Sequence, residues 1–172
     1  CMAGIGLDAH IVYRLSVPLK NRIGKAAYWA AGARVLGQRL AEFEVEVDGR
    51  CFTSTFALVS RVRNYGGDFR IAPRATLLDD SFEVVLFRPR NTLGYVRYLA
   101  GMALDRLARM RGVTILRARR LRLRAYSDPR IYVQVDGEYA GRLPASIEFV
   151  PDSLSLLMPA GYPARGPRRA DS

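Results

Sequence analysis

The chain is poor in cysteine, lysine and histidine, and it has no long hydrophobic run. Cys1 and Cys51 are two thiols without metal-ligand spacing, which suits a reducing compartment. The longest apolar stretch, residues 26–33, is far shorter than the ~20 residues that span a bilayer. Nothing at the start of the sequence resembles an export leader. These shortages predict a cytoplasmic protein without a membrane-spanning helix.

Positive charge is what the chain has in excess. It carries a net charge of +11, and Lys20 and Lys25 are the two lysines among its 27 basic residues. Such an excess attracts anionic partners, either phospholipid head groups or nucleic acid. The sequence contains no recognised nucleic-acid motif and no basic groove with interleaved aromatics. We therefore expect an anionic membrane surface and not nucleic acid as the charged partner.

The hydrophobic pattern is mainly that of β-strands. Phe43, Val45 and Val47 alternate with glutamates, and Asp48-Gly49 turns the chain into a second run over residues 51–62. Further strands are predicted over residues 1–8, 82–87, 113–126 (with one arginine-rich face), 131–135, 146–150 and 154–158. Helices are predicted over residues 23–40 and 92–110, the second with Asn91 as N-cap and Leu93, Val96, Leu99, Leu104 and Leu107 as its inner stripe.

This pattern predicts a mainly β, α+β domain, an antiparallel β-sandwich with two or three packed helices. Strands and helices do not alternate regularly, so a doubly wound nucleotide-binding domain is not expected. We place the domain at residues 1–159 and a basic flexible tail at 160–172.

Asp136, Gly137 and Glu138 are the most informative motif. Asp-Gly between extended runs is a strong signal for a type I′ hairpin turn. Two carboxylates one residue apart at a strand end can also converge on a substrate proton or a metal ion. Both interpretations stay open on spacing alone, and no other residues in the chain offer a better general base.

Two further motifs have both a structural and a functional interpretation. Residues 4–9 match a relaxed dinucleotide fingerprint, but no acidic residue follows about 20 positions later. Their glycines are better explained by close backbone approach near a pocket, with Asp8 as an inward acceptor or as an ordinary N-cap. Asp79 and Asp80 form a turn that either binds a divalent cation or is simply solvated.

Five segments in this order resemble the C-terminal half of the diacylglycerol kinase-like lipid kinases, which include the sphingosine and ceramide kinases. They are Ala3-Gly-Ile-Gly-Leu-Asp-Ala9, Lys25-Ala-Ala-Tyr28, Asn64-Tyr-Gly-Gly-Asp-Phe-Arg-Ile-Ala-Pro73, Ala75-Thr-Leu-Leu-Asp79 and Val135-Asp-Gly-Glu138. In that family an N-terminal domain binds ATP through a glycine-rich loop, and a C-terminal β-sandwich carries the lipid pocket. The sequence contains no such loop, so the resemblance implies a missing N-terminal nucleotide-binding domain.

The resemblance also implies roles for particular residues. Asp136 would be the general base that takes the proton of the lipid hydroxyl, and Glu138 would orient the acceptor or the metal network. Asp8 and Gly6 would lie at the lipid head group. Asp79 would hold Mg²⁺ with carbonyls of Thr76 and Ser81. Asp80 stands where the family commonly has glycine, and Leu7 stands where it usually has phenylalanine.

The function implied is that of the lipid-binding, base-supplying domain of an ATP-dependent kinase acting on diacylglycerol or a similar lipid. The chain alone is then expected to be inactive. Its expected location is cytoplasmic, peripheral to the inner face of the membrane, and a homodimer is possible. The alternative is a non-catalytic module that binds lipid or membrane.

Overall fold

The computed structural model describes residues 1–7, 9, 39–65, 69–89, 91, 93–128 and 130–158. The predicted first helix, residues 23–40, lies almost wholly outside the described residues. The predicted basic tail, residues 160–172, and Asp8 lie outside them too.

Most of the described chain consists of short β-strands joined by tight turns. The strands are β1 (Met2–Gly6), β2 (Phe43–Val47), β3 (Arg50–Ser54), β4 (Phe56–Ser60), β5 (Asn64–Tyr65), β6 (Phe69–Arg70), β7 (Phe82–Phe87), β8 (Val113–Ala118), β9 (Arg120–Ala125), β10 (Tyr132–Val135), β11 (Glu138–Arg142) and β12 (Ala145–Glu148). A helix, α1 (Leu93–Ala103), and a short 3₁₀ helix (Leu107–Arg109) stand between β7 and β8.

The strands form two main sheets. One sheet has six strands in the order β11-β10-β1-β4-β7-β8, and the other has four in the order β12-β9-β2-β3. Every neighbouring pair in both sheets is antiparallel. The prediction of an antiparallel β-sandwich is confirmed.

Two Asp-Gly turns close hairpins at the predicted places. Asp48 and Gly49 join β2 to β3 with φ values of 49° and 76°. Asp136 and Gly137 join β10 to β11 with φ values of 49° and 86°. Positive φ at both central residues is what a type I′ turn requires, and Asp-Gly adopts it at low cost. The hairpin interpretation of residues 136–137 is therefore confirmed.

Two predicted strands are in fact pairs of strands that cross between the sheets. The predicted run 51–62 breaks at Thr55, with β3 in the four-stranded sheet and β4 in the six-stranded sheet. The predicted run 113–126 breaks in the same way at Arg119, between β8 and β9. The Thr55 N–H donates to the carbonyl of Phe87 at 2.9 Å, which anchors the first crossing.

Two hydrophobic cores lie on opposite faces of the six-stranded sheet. The core between the sheets is built from alternate residues of both, including Ile5, Phe43, Val59, Leu86 and Leu121. The second core lies between the other face and α1. Its buried members are Phe56, Leu58, Ile71, Ala72, Ala75, Val85, Phe87, Tyr98, Met102 and Leu107. The sheet is thus a central layer, covered on both faces.

The helix α1 is capped as predicted but is shorter and rotated. The Asn91 Oδ1 accepts the N–H of Gly94 at 3.1 Å, as an N-cap does. The helix ends at Ala103, not at residue 110. Val96 and Leu104, predicted to face inward, are 50% and 66% exposed, because Tyr98 and Met102 occupy the inner face. The predicted stripe is wrong at those two positions.

The C-terminal part of the described chain differs from the prediction in one element. β12 corresponds to the predicted strand at 146–150, but residues 154–158 form no strand. Their leucines are exposed, with Leu157 fully so. No helix among the described residues is long and apolar enough to cross a bilayer.

Candidate functional site

Polar side chains collect at one end of the six-stranded sheet. Register pairs Met2 with Ser60, Ser60 with Glu83, and Glu83 with Arg117 in one row across four strands. Asp136 extends this row, because its N–H donates to the Met2 carbonyl at 3.0 Å. We call Asp136, Ser60, Arg61, Glu83 and Arg117, with the Asp79 loop that contacts Arg117, the polar end of the sheet.

The carboxylate of Asp136 is held against the first strand. Its Oδ1 accepts the N–H of Met2 at 2.9 Å, and its Oδ2 accepts from the amino group of Cys1 at 2.5 Å. The side chain is 54% exposed. Asp136 therefore combines a fixed position with access from solvent, which a general base requires.

These contacts also set the ionisation of Asp136. The hydrogen bond from the Cys1 amino group lowers the pKa of the Asp136 carboxyl below its ordinary value, and the Met2 N–H lowers it further. Partial burial opposes them. The group is therefore ionised at neutral pH, the form able to accept a proton.

The buried side chain of Gln134 stabilises the turn that contains Asp136. The Gly137 N–H donates to Gln134 Oε1 at 2.7 Å, and Gln134 is 2% exposed. Glu138 is exposed on β11 and pairs in register with Val135. Asp136 is therefore the first residue of the turn, and Glu138 is the first residue of β11 directly after it.

The Asp79 loop is held by two guanidinium groups. Arg61 donates through one Nη to the carbonyls of Leu77 and Asp79, the latter at 2.7 Å. The Arg117 guanidinium lies 3.2 Å from Asp79 Oδ2. The Thr76 carbonyl accepts the N–H of Asp79 at 3.2 Å.

Part of the predicted metal site at Asp79 is already occupied, because the Arg117 guanidinium contacts Asp79 Oδ2 and the Thr76 carbonyl accepts the Asp79 N–H. Among the described residues, no group of three or more His, Cys, Asp or Glu side chains could hold a metal. The assignment of Mg²⁺ to Asp79, Thr76 and Ser81 stays a prediction.

Glu83 also belongs to the polar end of the sheet, although it was not predicted from the sequence as a site residue. It is 3% exposed, and its Oε2 accepts the N–H of Arg74 at 2.8 Å. Burial raises the pKa of the Glu83 carboxyl, although hydrogen bonds from the backbone of Arg74 and Ala75 oppose the rise. The signal in the sequence was a lone glutamate inside the apolar run of residues 82–87. The hydrogen bond between Glu83 and Arg74 links β7 to the loop that leads to Asp79.

Gly6 lies at the opposite end of β1 from Met2. Its φ is 91°, and a Cβ there would lie 2.4 Å from the Thr55 carbonyl oxygen. Close backbone approach, one of the uses expected for these glycines, is therefore what Gly6 provides. The substrate roles expected for Gly6 and Asp8 stay predictions.

Distance separates the predicted site residues into two groups. Three strand spacings lie between β10 and β7, about 14 Å at the usual spacing. Asp79 contacts Arg117 on β8, the strand beyond β7. The two aspartates share one end of the sheet but contact different strands.

Two shallow cavities open at the other end of the sandwich. One, of about 320 Å³, is lined by Glu42, Thr53, Ser54 and Arg88. The second, of about 150 Å³, is lined by Cys51, Phe52, Thr53, Leu86, Arg88 and Thr114. Asp136 and Glu138 line neither. Neither cavity therefore joins the predicted catalytic residues to the lipid pocket that the resemblance implies.

The arginine-rich face predicted for residues 120–124 is present, and much of its charge is balanced. Leu121 and Leu123 are buried while the intervening arginines are exposed. Arg120 lies 2.5 Å from Glu148 and Arg122 lies 3.9 Å from Glu46, with Arg124 opposite Glu44 in register. Cross-strand pairing with glutamates makes this face a weak anion-binding surface.

Comparison with known proteins gives a consistent result. The sequence profile of the YegS C-terminal NAD kinase beta sandwich-like domain family matches residues 2–158. A diacylglycerol kinase of Bacillus subtilis (strain 168) is 28% identical over 161 residues, which is 92% of this chain and 52% of that protein. A diacylglycerol kinase of Staphylococcus carnosus (strain TM300) is 24% identical, with 92% of this chain and 52% of that protein covered. The chain spans about half the length of these relatives.

Solved structures share the fold. A diacylglycerol kinase from Bacillus anthracis str. Sterne superposes with a TM-score of 0.59 at 17% identity, covering 86% of this chain and 47% of that one. A second structure from the same organism gives a TM-score of 0.63 at 16% identity, with coverages of 86% and 48%.

Proposed function

The chain belongs to the YegS C-terminal NAD kinase beta sandwich-like domain family, and we propose that it is the lipid-binding, base-supplying domain of an ATP-dependent lipid kinase. The acceptor would be the hydroxyl of diacylglycerol or a similar lipid. The names of the curated relatives support the reaction class. The working location would be the cytoplasm, at the inner face of the membrane, and a homodimer is compatible with this role.

The observation that carries the proposal is the Asp136 carboxylate. It is anchored to the Met2 N–H, and it is half exposed at a strand end. An acceptor hydroxyl within hydrogen-bond reach of Asp136 would lose its proton to the carboxylate as it attacks the γ-phosphate.

Positioning and electrostatics supply most of the catalysis in phosphoryl transfer. Glu138, at the start of β11, would orient the acceptor hydroxyl or the metal network. Asp8 and Gly6 would hold the lipid head group. Mg²⁺ would accompany ATP and neutralise phosphate charge. If the Asp79 carboxylate also binds Mg²⁺, the ion would take the place of the Arg117 guanidinium at Asp79 Oδ2.

ATP would be bound by a nucleotide-binding domain joined ahead of Cys1. Support for this arrangement comes from the relatives, which are about twice as long as the chain. The backbone nitrogen of Cys1, which would be a peptide nitrogen in the longer protein, lies against Asp136. A domain connected there would therefore begin beside the proposed base, which suits transfer between the two.

The test is phosphate transfer by the full-length protein encoded by the gene. The protein would be incubated with labelled ATP and diacylglycerol in mixed micelles, and labelled lipid would be extracted and counted. We expect labelled phosphatidic acid with the full-length protein and none with residues 1–172 alone. Absence of labelled lipid with every lipid alcohol tried would contradict the kinase proposal.

A non-catalytic lipid- or membrane-binding module is the second candidate. It is favoured by the position of Asp136, which lines neither of the two cavities described above. The coding sequence upstream of Cys1 separates the two functions. An in-frame segment resembling Gly-Gly-Asp-Gly-Thr supports the kinase, whereas a stop codon followed by a start signal supports the module.

A further inference from the structure

The outer face of α1 is apolar although it faces solvent. Val96 is 50% exposed and Leu104, just beyond the helix, is 66% exposed. Ala100 and Ala103 are exposed between them. At 100° per residue these four side chains fall within an arc of about 100° on one side of the helix.

A solvated helix normally carries charged residues on this side. The sequence of α1 has no acidic residue, and Arg97 is its one charged residue. Its inner side is already buried against the second core through Tyr98 and Met102. A helix that is apolar on both sides normally buries both. The outer side of α1 therefore has the composition of a contact surface.

Arginines lie beside the apolar strip and follow it in the chain. Arg97 lies at its edge and donates to the carbonyl of Arg111 at 3.4 Å, so the residues just before β8 lie next to the helix. Arg106, directly before the 3₁₀ helix, and Arg109, its last residue, are exposed, as is Arg111. We call the whole surface the arginine-rimmed face. It consists of Val96, Arg97, Ala100, Ala103, Leu104, Arg106, Arg109 and Arg111.

Little negative charge offsets this rim. Asp105 is the acidic residue within the segment, and its carboxylate is 3.6 Å from a guanidinium nitrogen of Arg70. The exposed arginines at 120, 122 and 124, by contrast, lie opposite glutamates. Of the two arginine-rich surfaces, the rimmed face is the one that keeps its positive charge.

We propose that the arginine-rimmed face docks the protein on an anionic phospholipid bilayer. The apolar strip would enter the boundary between head groups and acyl chains, and the arginines would contact lipid phosphates. A second copy of the chain is a poorer occupant, because pairing the face with itself would bring two positive rims together. The proposal rests on the proposed function, in which the acceptor is a membrane lipid.

The test compares two triple variants with equal loss of charge. The first is Arg106→Gln, Arg109→Gln and Arg111→Gln, and the matched control is Arg120→Gln, Arg122→Gln and Arg124→Gln. Binding of the full-length protein would be measured by flotation with phosphatidylcholine vesicles, with and without phosphatidylglycerol. We expect the first variant to bind anionic vesicles about a hundredfold more weakly and the control to stay within a few-fold of wild type.

A second measurement tests whether the apolar strip enters the bilayer. Leu104→Trp places a fluorophore on the face, and Tyr126→Trp places one on an exposed residue of the other sheet. Anionic vesicles should shift the emission of the Leu104→Trp protein to shorter wavelength and leave that of the Tyr126→Trp protein unchanged. Leu104→Glu should weaken vesicle binding, and thermal melting would verify that each variant is folded.

Several outcomes would overturn the proposal. These are equal weakening in both triple variants, wild-type protein that does not float with anionic vesicles, and self-association lost on Leu104→Glu. The last would assign the face to a protein partner. These measurements need no ATP, so vesicle docking and phosphate transfer succeed or fail separately.

Discussion

The two ends of the six-stranded sheet are built from the same strands but by different chemistry. At one end, defined above as the polar end, carboxylates and guanidinium groups meet around Asp136, Glu83 and Asp79. At the other end, which we call the packed end, the residues in contact with one another include Gly6, Thr55, Phe56, Phe87 and Tyr95. Phe56 and Phe87 stack with ring centroids 4.9 Å apart.

Even the polar groups of the packed end serve packing. The Thr55 hydroxyl lies 3.0 Å from the Tyr95 hydroxyl, and burial raises the pKa of Tyr95 above its ordinary value. Such groups are satisfied internally and are not available to a ligand. The contrast leaves the polar end, about 13 Å away along β4, as the end whose carboxylates and guanidinium groups are partly exposed to solvent.

The largest effect on stability is expected at the packed end. Gly6→Ala forces a side chain into positive φ and against the Thr55 carbonyl, so we expect the free energy of unfolding to fall by about 3 kcal/mol or more. Gly49→Ala is the matched control, because its φ is 76° and nothing lies within 4 Å of its Cβ position. That variant should lose only about 1 kcal/mol in urea unfolding. Equal losses of unfolding free energy in the two variants would mean that the close approach at Gly6 does not contribute to stability.

A smaller effect is expected from Arg61 at the polar end. Arg61→Gln removes a guanidinium that holds the Asp79 loop and lies 4.7 Å from the Phe149 ring. We expect a loss of about 2 kcal/mol, whereas exposed Arg122→Gln should lose less than about 0.5 kcal/mol. Millimolar Mg²⁺ should leave the Tm of the wild-type protein unchanged. A clear rise in that Tm would show that a metal ion, and not Arg61, organises the loop.

The smallest effect concerns Glu83 and depends on pH. Because burial raises the pKa of Glu83 in the folded state, its contribution to stability is fully present below the unfolded pKa of about 4.3 and is lost as pH rises through the folded value. Glu83→Gln removes this titration. Relative to wild type, the variant should gain on the order of 1 kcal/mol from pH 4 to pH 7 in urea unfolding. A pH-independent difference would contradict the raised pKa.

Local patterns predicted much of the fold but not its sheet crossings. Alternation placed β2 and β9, and Asp-Gly placed both hairpins. The only sign of the break at Arg119 is a shift in the alternation of apolar residues. They stand at even-numbered positions before it (Leu116, Ala118) and at odd-numbered positions after it (Leu121, Leu123). The rotation of α1 could not be read from periodicity, because the helix is apolar on both sides and Tyr95 and Tyr98 select the inner one by contact with Phe87.

The candidate site was predicted in part. Asp136 was found through its turn motif, but its contact with Met2 depends on how β1 pairs with β10, which no local pattern encodes. Arg61 and Glu83 were missed because their roles arise from neighbours 16 and 9 residues away. The separation of Asp136 from Asp79 follows from strand order alone.

The most direct test compares the two Asp-Gly turns in the full-length protein. Asp136→Asn and Asp48→Asn each remove one carboxylate from a turn with φ of 49°, which asparagine also tolerates. With ATP and diacylglycerol, Asp136→Asn should lower kcat about 10²–10⁴-fold, and Asp48→Asn should leave it near wild type. Folded Asp136→Asn protein with wild-type turnover would contradict the role assigned to that carboxylate.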